Sequence, residues 1–100
     1  MARPARPVRL DRSASEIGRH LRTWRKLQNL TAEQVAERAN TTRTTLRRLE
    51  QGQPGVGLDV FLAVARALGQ LDRVVAVLDP YETDLGRARA EETLPERVRR

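Results

Sequence analysis

Arg43, Thr44, Arg47 and Arg48 crowd into six residues and share one side of any helix built there, opposite Leu46 and Leu49. Guanidinium forks pair bidentately with phosphate oxygens or with the O6 and N7 atoms of guanine. A threonine adds a hydroxyl for hydrogen bonding and a methyl that can meet the methyl of thymine. These residue types suit recognition rather than bond making. The chain has no cysteine and a single histidine, His20, with no second ligand or nucleophile beside it, so His20 reads as a surface or rim residue. Carboxylate pairs, Cys/His dyads and metal-ligand clusters are missing from the sequence, and the Gly-rich run 52–57 lacks the following Lys-Ser/Thr of a phosphate loop. The expectation is therefore a non-enzyme with no metal and no cofactor.

These side chains need a platform, and the stretch 31–52 supplies one. Thr31 with Gln34 three residues on forms a capping-box pattern, and Val35, Ala36 and Ala39 give a small apolar stripe. Asn40 stands where the chain must turn sharply, and asparagine tolerates the left-handed conformation. Thr42 can cap a second short helix that buries Leu46 and Leu49; for Thr41 and Thr42, capping and partner contact are the two readings. A basic helix held at a fixed angle by a small-residue helix is what a reader of the DNA major groove requires.

Around this unit the chain reads as all-α, in five helices with an arm and a tail. Residues 1–12 form a basic arm, with Pro4 and Pro7 breaking helix and Arg3, Arg6, Arg9 and Arg12 recurring every third residue. The arm is either a solvated tail or a segment that lies along a DNA backbone. Ser13–Asn29 is a helix, capped by Ser13 with Glu16 or by Ser15, whose Ile17, Leu21, Trp24 and Leu27 recur at helical spacing. Asn29 ends it in the left-handed conformation, and Leu30 staples the next helix. Leu58–Leu68 follows the loop, and Gly69 stops it. Residues 71–78, LDRVVAVL, form a fifth helix, or a buried strand over Val74–Leu78, before Asp79-Pro80. Its Leu71, Val74, Val75 and Leu78 can cap the core and form a two-fold interface. Residues 13–79 then make one domain, and 80–100 a charged tail that is disordered or ordered by a partner.

Net charge is +6, with eight basic and two acidic residues in Met1–Leu30 and a near-even balance beyond. That excess favours a polyanion through sequence-independent phosphate contacts. Of the 19 basic residues 18 are Arg, which suits bidentate recognition and equally reflects a biased genome. The chain has three aromatics, which argues against a base-stacking surface for single strands. No apolar run approaches membrane-spanning length and the start does not resemble a signal peptide, so a cytoplasmic protein is expected.

From Glu16 to Leu68 the sequence resembles the Cro/cI-type (Xre) helix-turn-helix family. IGRHLRTWRKLQNLTAEQVAERANTTRTTLRRLEQG runs parallel to that pattern, and LDVFLAVARALG resembles its fourth helix. The resemblance implies a lambda-repressor-like fold and an ion pair between Arg25 and Glu50. It also implies base contacts from Arg43, Thr44 and Arg48 with Arg47 close by, and backbone or packing roles for Thr42, Thr45 and Gln51. Ala32 departs from the family's usual Gln, so a phosphate contact is missing there and Gln34 is not assumed to replace it. Residues 71–100 are similar to the C-terminal region of HipB-like antitoxins, through the pieces 79–86 and 94–99. That implies a homodimer on a palindromic operator, autorepression, and a HipA-like kinase toxin as partner. The competing expectation is a protein-interaction module whose tail binds an enzyme, with DNA binding secondary.

Overall fold

The computed structural model describes residues 5–93, and every regular element within them is helical. The order is α1 (Val8–Leu27), α2 (Ala32–Arg38), α3 (Arg43–Glu50), α4 (Leu58–Ala67), α5 (Leu71–Val77), a 3-10 turn (Pro80–Glu82) and α6 (Asp84–Thr93). The strand alternative for Val74–Leu78 is thereby replaced by helix and helix cap.

Four helices end in the same way. Asn29, Asn40, Gly52 and Gly69 take positive φ values of 57°, 55°, 70° and 76°. The amide of the next residue then reaches back to a carbonyl in the last turn: Leu30 to Arg25, Thr41 to Ala36, Gln53 to Arg48 and Gln70 to Ala65. This satisfies carbonyls that a helix end leaves unpaired and turns the chain sharply at each corner.

The caps at helix starts differ more from expectation. Thr31 and Gln34 form a full capping box, and the Thr42 hydroxyl accepts from the Thr45 amide. By contrast α1 begins five residues before Ser13, with Pro7 as its cap residue and no side-chain cap bond. Ser13 and Ser15 are therefore interior, and Arg9 and Arg12 ride on helix rather than on an extended arm. Pro7 presets the backbone just before a first turn, and Asp11 complements the positive end of the helix dipole there, so the proline starts the helix instead of preventing it.

The tail differs too. Asp79 accepts from the Tyr81 amide, Thr83 accepts from the Gly86 amide, and Arg87 bonds Asp84 and the Tyr81 carbonyl. These local bonds order residues 80–93, where composition alone suggests a disordered or partner-ordered tail. Gly86 is no interruption: a Cβ there would lie 2.0 Å from the Pro80 carbonyl oxygen, so the turn closes on α6 only because the side chain is hydrogen.

The core gathers Leu21, Val35, Ala36, Ala39, Leu46, Val64 and Leu68, with Trp24, Leu30, Leu49 and Phe61 packed around it. Leu27, placed with the inward stripe by its spacing, is exposed. α1 meets α3 at Gly18, where a Cβ would sit 2.4 Å from the Glu50 carbonyl oxygen and 2.5 Å from that of Leu49. Gly52 repeats the device from the other side, against the backbone of Ser15. Helix propensity alone would make Gly18→Ala stabilising by about 1 kcal/mol. Because the obstructing atoms are backbone, overpacking of about 1–3 kcal/mol or more should dominate. Urea unfolding should show a net loss of about 2 kcal/mol; a gain would mean that α1 and α3 stand farther apart.

Candidate nucleic-acid interface

α3 has eight residues, too few to be stable alone, so its outward face depends on what holds its inner one. Leu46 is fully buried and Leu49 packs beside it. At the C-terminal end Glu50 accepts two hydrogen bonds from Arg25 of α1, Nε at 2.8 Å and Nη2 at 3.1 Å. Arg25 Nη1 also donates to the Leu30 carbonyl, so one guanidinium joins α1, the end of α3 and the loop before α2.

Both side chains of the pair are nearly out of solvent, 12% and 10% exposed. The hydrogen bonds that Arg25 donates to Glu50 raise the Arg25 pKa above its ordinary value, outweighing the opposite push of burial. A raised arginine pKa contributes stability that is complete below the ordinary value and fades only at extreme alkaline pH. The pair therefore stays charged on the arginine side under any condition in which the protein is handled. Removing one partner strands the other charge. Arg25→Met and Glu50→Leu should each lower stability by about 3 kcal/mol, and the double variant should lose less than the two single losses combined. Additive losses in chemical unfolding would show that the two side chains do not interact.

With its inner face held, α3 turns Arg43, Thr44, Arg47 and Gln51 toward a groove that α1 and α2 border through Arg22 and Ala32. Arg43, Thr44, Arg47 and Gln51 are all exposed. Arg43 and Arg47 have no side-chain partner among the described residues, so their charges are available. Gln51 accepts a hydrogen bond from Gln53.

The remaining sequence-predicted residues fall elsewhere. Arg48 is half-buried and donates to the Pro54 carbonyl at 3.1 Å, which sets it on the flank of α3 over the 52–57 loop. The Thr42 hydroxyl donates to that of Thr45 at 3.0 Å while capping the helix, so both threonines already have structural work. Arg6 pairs with Asp11 at 3.2 Å, and Arg9 occupies the first turn of α1. Arg3 lies outside the described residues. Arg22 is the residue that sequence reading missed. Its position on α1, four residues from the inward-facing Gly18, was the available signal.

The residues assigned to an interface between subunits separate into two groups. Leu71 and Val74 are half-buried within the chain, whereas Val75 and Leu78 are exposed to 62% and 81%. Val77, absent from that assignment, is exposed to 74%.

A helix-turn-helix domain model matches residues 16–78, well over half of the chain. The chain belongs to this family of helix-turn-helix domains, and its fold is that of a DNA-binding regulator. The matched span begins within α1 and ends at the cap of α5, so it contains both partners of the Arg25–Glu50 pair. No curated protein matches the chain. No helix among the described residues is long and apolar enough to cross a membrane.

Proposed function

We propose that the protein is a sequence-specific transcriptional regulator of the cytoplasm, a homodimeric repressor that reads a palindromic DNA operator through α3. The observation that carries this reading is the exposed row Arg43, Thr44, Arg47 and Gln51 on a helix clamped from behind. Arg43, Thr44 and Arg47 contact base edges, and Arg48 joins them from the flank once it leaves Pro54. Thr42, Thr45 and Gln51 sit beside the phosphates, with Arg3, Arg6 and Arg9 adding affinity that carries no sequence information. The Xre-like pattern of residues 16–68 supports the base-contact positions.

Alanine at Arg43 or Arg47 should cost about 1–3 kcal/mol at one base position and relax preference there. Alanine at Arg3 or Arg9 should instead weaken all duplexes alike. Footprinting and competition binding on the DNA upstream of the coding region check this. Identical behaviour of the two sets would remove the distinction between readers and positioners, and no protected site at low salt would sink the regulator itself.

Dimerisation is supported by the exposed apolar side chains of α5 and its cap, Val75, Val77 and Leu78, which have no cover among the described residues. Two α3 helices would then lie about 34 Å apart, one turn of DNA. Sedimentation equilibrium should show a dimer that Val75→Asp with Leu78→Asp converts to a folded monomer. An unchanged dimer would place the interface elsewhere.

The HipB-like segment 79–86 further supports the role of an antitoxin that represses its own expression and binds a HipA-like kinase toxin. A neighbouring gene for such a kinase, and co-purification of the two products, would be expected; failure to associate would remove the antitoxin role and leave the repressor.

A further inference from the structure

From the groove beside α3 we infer that Arg22 of α1 is a phosphate-binding residue that sets the recognition helix on the DNA backbone, a role resting on the DNA-binding reading above. Three guanidinium groups border that groove without a partner among the described residues: Arg22, Arg43 and Arg47. The fourth, Arg25, is cancelled by Glu50. The groove therefore holds an excess of three positive charges with no uncompensated acid, and such a site suits a polyanion.

Arg22 differs from the other two in what carries it. Arg43 and Arg47 project from α3 and move with it, whereas Arg22 projects from the long helix that braces α3. Across the groove Ala32 contributes only a methyl group, which leaves room for a phosphate beside the start of α2. Gln34 does not line this groove; its Oε1 accepts from the Thr31 amide at 2.9 Å in the capping box of α2.

The surroundings of Arg22 extend the same surface. Arg19, Arg22 and Lys26 recur on one side of α1, and all three are exposed. Arg19 is held only loosely by Glu16, at 3.9 Å. These cations span eight residues, about 10 Å of helix axis, so a strand leaving the groove at Arg22 meets further positive charge. Phosphate contacts of this kind fix register and orientation without reading sequence.

The test compares full-length wild type, Arg22→Gln and Arg22→Lys by fluorescence anisotropy. Two duplexes of equal length serve as probes, the upstream DNA and an unrelated sequence, across a range of salt concentrations. Arg22→Gln should weaken both duplexes by the same factor and lower the salt slope of log affinity by about 0.9. Arg22→Lys should retain most of the slope. Because Arg22 is exposed, circular dichroism should report the same helix content for all three proteins. Equal affinity and slope for wild type and Arg22→Gln, or a loss confined to the upstream duplex, would overturn the role of Arg22 while leaving DNA binding intact. Wild type that binds neither duplex would overturn the underlying reading and this role together.

Discussion

The Arg25–Glu50 pair is the constraint on which the rest depends. It is a two-pronged, nearly dry contact between the longest helix and the end of α3, and a third bond from Arg25 fixes the chain before α2. Such a pair gains little net stability over a well-packed apolar substitute, since two charges must leave water to form it. What it contributes is geometry. An arginine fork meets a carboxylate in few ways, so the rotation of α3 about its own axis is held within narrow limits. That rotation decides which side chains face outward. Gly18 and Gly52 set the remaining degree of freedom, the separation of α1 from α3, by bringing backbone against backbone.

Much of this was legible in the sequence because the signals are local. The Thr31–Gln34 box, the Thr42 cap and the left-handed turns at Asn29 and Asn40 each depend on residues within one helical turn. The apolar stripes of α2 and α3 followed from spacing. What escaped depended on partners distant along the chain or on competing local rules. Nothing near Gly18 announces that a carbonyl of α3 will lie against it. The early start of α1 turned on whether Pro7 breaks or begins a helix, and Ser13 offered a persuasive but unused cap. The helix 84–93 is held by small polar bonds from Asp79, Thr83 and Arg87, which composition describes only as charge.

The site was legible as residue types more than as an arrangement. Arg43, Thr44 and Arg47 do share a face, but Arg48, equivalent to them on a helical wheel, is drawn aside by the Pro54 carbonyl. Arg22 could not be found from α3 alone, because its relevance arises from the angle at which two helices pass. Charge counting placed the positive excess in the first thirty residues, yet those charges do different things. Arg6 and Arg25 are neutralised within the fold, and Arg22 is not.

The separation of α3 into two faces has a consequence for how such a protein can change over generations. Leu46, Leu49 and Glu50 carry the helix's contribution to folding, while Arg43, Thr44, Arg47 and Gln51 contribute almost none. Substitutions on the outer row therefore escape the stability threshold that removes most mutations. The inner row, the two glycines and the ion pair do not. If the outer row reads DNA as proposed, a lineage can alter it and acquire new target preferences without first acquiring a more stable fold.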